Sequence, residues 1–164
     1  MAIRFEGSAV FVSSMLDART FYEQTLGQTV LFAVGDQYIA YEGGFSLWHH
    51  QNASESIHGT RPAGPATLQG HENFELYFET EELEDAWART RASCSEPIHA
   101  MREMPWGQHC FRVRDPDGHI VEVAEPMSRV MKRLLDSGLT PEEVAKRTMT
   151  PLGLVQAMCG CQEP

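Results

Sequence analysis

The sequence contains few basic residues and few cysteines. Thirteen lysines and arginines stand against 23 aspartates and glutamates, which gives a formal net charge of −10. A chain of this charge repels phosphate backbones and acidic lipid surfaces, so we expect no nucleic-acid or membrane partner. No apolar run is long enough to cross a bilayer, and Met1–Phe5 lacks the layout of a signal peptide. We therefore expect a cytoplasmic protein whose four cysteines are reduced.

The segment 108–123 carries the most informative motif of the chain. Two alternating strands flank the tight turn Asp115–Gly118, in which proline presets the turn angle and glycine supplies a positive φ. On the second strand Val121 and Val123 point to one face of the sheet, and Glu122 points to the other. A carboxylate in this position either lines a site or faces water.

The chain is predicted to use one order of elements twice, strand–helix–strand–strand–strand. We expect two such βαβββ modules, over residues 5–50 and 71–126, to form an α+β domain over residues 1–126. Its mixed, curved sheet would enclose a central pocket. Residues 51–70 are rich in Ser, Gly and Pro and are predicted to be a linker or loop. The strands are predicted at Ser8–Ser13, Thr29–Val34, Gln37–Tyr41, Phe45–His49, Glu72–Glu79, Ile98–Arg102, Gln108–Arg114 and His119–Ala124, with helices at Leu16–Leu26 and Glu81–Ala92.

Residues 127–164 are predicted to form a separate helical extension. Thr140 and Pro141 provide a cap and a first-turn proline, and Thr150-Pro151 repeats this start. The extension has two interpretations. Either its apolar residues pack on the body or on a second subunit, or its short helices bind DNA in a ligand-responsive regulator. The absence of lysine and arginine from Pro151–Met158 argues against DNA. The packing residues would be Val130, Leu134 and Leu139.

Two motifs in this order resemble the vicinal oxygen chelate superfamily. They are Phe21-Tyr22-x-x-x-Leu26-Gly27 after the first helix and Asp115-Pro116-Asp117-Gly118-x-x-x-Glu122 in the last hairpin. This superfamily includes glyoxalase I, extradiol dioxygenases, and the bleomycin and fosfomycin resistance proteins. The resemblance covers roughly residues 5–126. It implies the paired-module fold, a small-molecule ligand and a homodimer.

The resemblance also implies positions for a divalent metal, with one ligand on the first and last strand of each module. Those positions carry Gly7, Ser46, Asn73 and Glu122, of which only Glu122 is a suitable ligand. We therefore predict a small-molecule-binding protein without the usual four-ligand metal site and without a cofactor. The alternative is a metal-dependent lyase or dioxygenase with a His50, His71 and Glu122 site.

Strand alternation predicts which side chains line the pocket and which face the helices. Arg112 and Glu122 allow two interpretations, a structural ion pair or ligand contacts in which Glu122 is a catalytic base. The aromatic residues either form pocket walls or fill a core. The pocket residues are predicted to be Ala9, Phe11, Ser46, Trp48, Asn73, Glu75, Tyr77, Arg112 and Glu122. The helix-facing residues are predicted to be Val10, Val12, Phe45, Leu47, Phe74, Leu76, Val121 and Val123.

Overall fold

A computed structural model of the chain describes residues 3–63, 72–93 and 96–159. It contains two four-stranded sheets with helices, so the predicted α+β class is confirmed. The chain divides into two compact units. The first contains the described residues of Met1–Glu75, Arg89–Glu96 and Arg114–Ile120. The second contains those of Leu76–Ala88, Pro97–Val113 and Val121–Pro164.

The first sheet has the strand order β1-β4-β3-β2. Strand β1 pairs in parallel with β4, whereas β2–β3 and β3–β4 are antiparallel. The predicted helix-facing residues of this sheet, such as Val12 and Leu47, have no exposed surface. The strands are β1 (Ser8–Val12), β2 (Val30–Val34), β3 (Tyr38–Tyr41) and β4 (Phe45–His49), and helix α1 (Met15–Arg19) continues as a π-helical segment (Thr20–Thr25).

The second sheet repeats the same arrangement, with the order β5-β8-β7-β6. The βαβββ order predicted for both modules is therefore confirmed. The Thr80 hydroxyl accepts a hydrogen bond from the Glu82 amide at 3.1 Å, in the turn that precedes the module's helix. The elements are β5 (Glu75–Glu79), α3 (Leu83–Ala92), β6 (Glu96–Glu103), β7 (His109–Arg114) and β8 (Ile120–Ala124).

The segment predicted as a linker begins instead with a helix, α2 (His50–His58). Its Ala53 is fully buried, and Gly59 ends it in the left-handed conformation at φ 72°. The prediction was wrong here because Gly59 is the first glycine after β4, so the first nine residues contain no helix breaker. The linker prediction rests on the composition of the whole segment 51–70, in which the glycines and prolines all lie at or after Gly59.

Three helices follow the second sheet, α4 (Met127–Asp136), α5 (Pro141–Thr148) and α6 (Leu152–Cys159). Thr140 caps α5 as predicted, and its side chain forms a capping box with Glu143. Val130 and Leu134 pack with Val144 and Val155 in a core that the three helices share, and Leu139 packs against it. These apolar residues thus have partners within the extension itself. In the described part of the chain, no helix has the length and apolar character needed to cross a membrane.

Candidate ligand-binding faces

Four aromatic rings form a row across one face of the first sheet. The Trp48 ring on β4 meets Phe11 of β1 edge-on, with ring centroids 6.1 Å apart. It meets Tyr38 of β3 edge-on at the same centroid distance, and Tyr38 lies 5.8 Å from Phe32 of β2. Phe32 is 54% exposed and the other three rings are half-buried. The strand alternation that buries Val10, Val12 and Leu47 on the opposite face therefore leaves an apolar surface open on this one.

The ring row borders a groove of about 400 Å³. Ser46 lies in it, and its hydroxyl donates a hydrogen bond to the Ser8 carbonyl at 3.2 Å. Because the hydroxyl proton is used by the backbone, Ser46 can offer a ligand only an acceptor oxygen. The groove therefore combines large apolar walls with few polar groups, the composition expected of a small-molecule site. Its floor and walls include Ala9, Phe32, Tyr38, Ala40, Ser46 and Trp48.

Helix α2 adds a second groove, of about 330 Å³, beside the same rings. Tyr38 and Trp48 line both grooves, and α2 contributes Asn52 and Glu55 to the second. The sequence pattern does not single out these polar residues, because a predicted linker or loop over residues 51–70 assigns them to no face of a helix. Tyr38 and Phe32 were also missed, because strand β2 is apolar at every position and its burial does not alternate, so the pairing of β2, β3 and β4 decides which rings meet.

The second sheet carries a polar cluster around Arg112 and Glu122. Glu122 is only 3% exposed, and its carboxylate forms an ion pair with the Arg112 guanidinium. Arg112 Nη1 also lies 3.3 Å from His99 Nε2 and 3.7 Å from Cys110 Sγ. The ion pair that the sequence allowed is present, and each charge reduces the cost of burying the other. Burial and the neighbouring Glu122 carboxylate raise the pKa of Cys110 to about 11, so its thiol is protonated at neutral pH.

Tyr77 lies on β5 of the same sheet and is half-exposed. Its hydroxyl donates to Glu79 Oε1 at 2.7 Å and accepts from Gln108 Nε2 at 2.8 Å. Partial burial and the bond to Glu79 raise the pKa of Tyr77 well above its ordinary value. Tyr77 therefore presents a neutral hydroxyl in a fixed direction.

Two other predicted residues, Asn73 and Phe74, are placed differently from expectation. Asn73 lies in a turn and is exposed, because β5 begins at Glu75 and not at Glu72. Phe74 precedes the strand for the same reason and is 50% exposed, so its predicted place among the helix-facing residues was wrong. Glu75 is exposed at the first position of β5. His50 begins α2, and burial lowers its pKa, whereas His71 lies outside the described residues.

The residues at the four metal positions do not suit a metal. Gly7 has φ 149°, and a Cβ built on it would lie 2.4 Å from the Gly44 carbonyl oxygen, so this position excludes any side chain. The Ser46 hydroxyl is bonded to the backbone, and a metal at Glu122 would compete with the Arg112 guanidinium. Within residues 3–63, 72–93 and 96–159, no three His, Cys, Asp or Glu side chains are grouped to hold a metal ion.

The Asp115–Gly118 turn is held in the first unit by buried hydrogen bonds. The Tyr22 hydroxyl donates to Asp115 Oδ2 at 2.8 Å, and the Ser13 amide donates to both Asp117 oxygens at 3.0 Å. The Asp115 carboxylate also accepts hydrogen bonds from the backbone amides of Asp117 and His119. The two motifs that carried the sequence resemblance, around Tyr22 and Asp115, are thus joined by a direct contact.

Comparison with known proteins places this fold in a family. Residues 5–128 match the glyoxalase-like domain. The chain belongs to the glyoxalase-like domain family. The resemblance to the vicinal oxygen chelate superfamily is therefore confirmed. The match ends at residue 128, so most of α4 and all of α5 and α6 lie beyond it.

Several solved structures share the fold of this chain. A protein of unknown function from Agrobacterium tumefaciens str. C58 is 32% identical, with 77% of this chain and 96% of that chain covered and a TM-score of 0.70. A lactoylglutathione lyase from Agrobacterium tumefaciens is 23% identical over 74% of this chain and 92% of its own, with a TM-score of 0.56. A glyoxalase-related enzyme from Fulvimarina pelagi is 22% identical over 74% and 88%, with a TM-score of 0.59. The last two likenesses show the fold alone. The curated proteins gave no significant match.

Proposed function

We propose that this glyoxalase-like protein binds a flat organic molecule on the ring row of its first sheet, without the four-ligand metal of its superfamily. The observation that carries the proposal is the continuous row Phe11–Trp48–Tyr38–Phe32 above a groove of about 400 Å³. A contiguous apolar surface of this kind that borders a groove is typical of a binding site.

The shape of the row favours a planar ligand. Aromatic faces and edges contact a flat ring over a large area and prefer offset or edge-on geometry, which aliphatic walls do not enforce. The polar groups beside the rings are few and lie at the border of the groove. Ser46 offers an acceptor, and Asn52 and Gln37 of the second groove offer amide groups that would orient a substituent of the ligand.

The proposed absence of the four-ligand metal rests on what three of the four positions do instead. Gly7 makes a close backbone approach, the Ser46 hydroxyl is bonded to a carbonyl, and Glu122 pairs with Arg112. Supplying a metal ligand at the first of these positions would require a rearrangement of the β1 start, because the Gly44 carbonyl occupies the space of a Cβ. Glu122 as a general base remains a prediction of the sequence.

Replacement of Trp48 tests the ligand face. Trp48→Ala removes the central ring of the row, and we expect it to weaken ligand binding at least about tenfold, because a buried aromatic side chain contributes about 1.5–3 kcal/mol. Hits would be collected from a small-molecule library by thermal shift and their affinities measured by calorimetry. Trp48→Phe, which keeps a ring, should lose less. Leu16→Ala, at a 75% exposed position of α1, is the control and should bind as the native protein does. Equal affinities for all three variants would contradict the proposal.

Metal analysis separates the proposal from its main alternative. We expect protein purified without chelator, and then dialysed against Zn²⁺, Fe²⁺ or Mn²⁺, to retain well under one metal ion per chain. The alternative site of His50, His71 and Glu122 predicts one equivalent, lost on His71→Ala. Stoichiometric metal that disappears in His71→Ala would replace the proposed metal-free binder with a metal-dependent enzyme.

A further inference from the structure

The C-terminal helices contact the turn between β6 and β7 in the second unit. Arg133 of α4 donates from Nη2 to the Gly107 carbonyl at 2.5 Å and to Glu125 Oε1 at 2.8 Å. Arg147 of α5 donates to Glu103 Oε1 at 2.7 Å, at the end of β6. Two basic residues of the extension are thus bonded to the sheet and its turn.

The turn itself lies against the apolar side of the extension. Gly107 adopts φ 89°, and a Cβ placed on it would contact Val130 at 3.5 Å and Leu134 at 3.6 Å. Both residues belong to the core that α4, α5 and α6 share. The position of the turn therefore depends on the packing of the three helices as well as on the ion pairs.

Gln108, the residue after Gly107, connects this turn to Tyr77. Gln108 is 3% exposed, and its Oε1 accepts a hydrogen bond from Trp106 Nε1 at 2.8 Å. Its Nε2 donates to the Tyr77 hydroxyl and to the Glu125 carbonyl, each at 2.8 Å. The buried Gln108 amide thus binds both the Trp106 indole and the Tyr77 hydroxyl. It also binds the backbone of Glu125, whose side chain pairs with Arg133.

We propose that Arg133 is a positioning residue, through which the C-terminal helices hold Trp106 and Tyr77 in place on the second sheet. Arg133 bonds both to Gly107 in the turn and to Glu125 directly after β8, and Gln108 joins the same two places, because it follows Gly107 and donates to the Glu125 carbonyl. The extension, which lies almost entirely beyond the family match, therefore controls the direction of two side chains inside the glyoxalase-like domain. This inference does not depend on the ligand face of the first sheet.

Fluorine NMR of ligand-free, full-length protein labelled with 5-fluorotryptophan tests the proposal. The three tryptophan signals are assigned with Trp106→Phe, and Arg133→Met is compared with Lys132→Met. Lys132 precedes Arg133 on α4. The contact described for its side chain is the ion pair with the exposed Asp136, so Lys132→Met is a matched control. We expect Arg133→Met to shift or broaden the Trp106 signal while the Trp48 and Trp87 signals stay in place.

Amide exchange provides the second readout. The His109 amide donates to Glu125 Oε1 and the Gly107 amide to the Met104 carbonyl, and both should exchange at least about tenfold faster in Arg133→Met, whereas Lys132→Met leaves them unchanged. Arg133→Lys keeps the charge without the guanidinium fork, and an intermediate effect is expected. Should Arg133→Met fail to fold, Arg133→Lys alone decides the matter. An unchanged Trp106 signal, or equal changes in all three tryptophans, would overturn the proposal.

Discussion

Asp115→Ala is expected to lower the free energy of unfolding by about 3 kcal/mol or more, because it leaves several buried donors without an acceptor. The Asp115 side chain has no exposed surface. It accepts hydrogen bonds from the Tyr22 hydroxyl and from the amides of Asp117 and His119, and it contacts His119 Nδ1 at 3.0 Å. Its loss would release the turn from the π-helical segment.

Chemical denaturation followed by circular dichroism measures this effect. Tyr22→Phe removes only one of the bonds to Asp115 and should cost about 1–2 kcal/mol. Asp36→Ala, at an exposed turn of the first sheet, is the control and should change stability by less than about 0.5 kcal/mol. If Asp115→Ala proved as stable as Asp36→Ala, the turn would not be anchored as described.

The second large effect is expected at Arg112. Arg112→Met leaves the Glu122 carboxylate buried without its guanidinium, which should cost about 3 kcal/mol of folding stability. The double variant Arg112→Met/Glu122→Gln removes both charges, and it should recover most of this loss because a neutral amide is much cheaper to bury. Such recovery is expected of a buried ion pair in which each charge offsets the desolvation cost of the other.

A double-mutant cycle on unfolding free energies supplies the measurement. The exposed pair of Lys132 with Asp136 is the matched comparison, and its Lys132→Met variant should lose less than about 0.5 kcal/mol. A small loss in Arg112→Met, with no recovery in the double variant, would mean that Glu122 has another partner of comparable strength. In that case the ligand-contact interpretation of Arg112 would become the better one.

Most of the fold could be predicted because local signals agree with the tertiary structure. The alternation around Val10 and Val12 and the turn at Asp115–Gly118 each define a single element. Helix α2 could not be predicted in the same way. Its sequence has no apolar stripe, and only Ala53 is buried among its residues, so the helix is recognised by the absence of breakers before Gly59.

Only part of the candidate site could be predicted. The rest depends on which strands pair and in what register, which the sequence of a single strand does not show. Phe11 and Trp48 could be assigned to a face from their own strands, and the ion pair of Arg112 with Glu122 was one of two interpretations. The ring row also needs Tyr38, which opposes Trp48 in the β3–β4 register, and Phe32, whose place beside Tyr38 depends on the β2–β3 pairing. Gly7 is a second case in which a tertiary contact could not be predicted. The sequence shows that this position lacks a metal ligand, but only the structure shows that the Gly44 carbonyl leaves no room for a side chain there.

The most direct test of the central claim is a map of amide chemical shifts on addition of the tightest library hit. Ligand binding on the ring row predicts that the signals of Ala9, Phe32, Ser46 and Trp48, including the Trp48 indole, move together and saturate at one ligand per chain. Shifts that gather on helices α4–α6, or the absence of any hit that moves the Trp48 indole, would contradict the account.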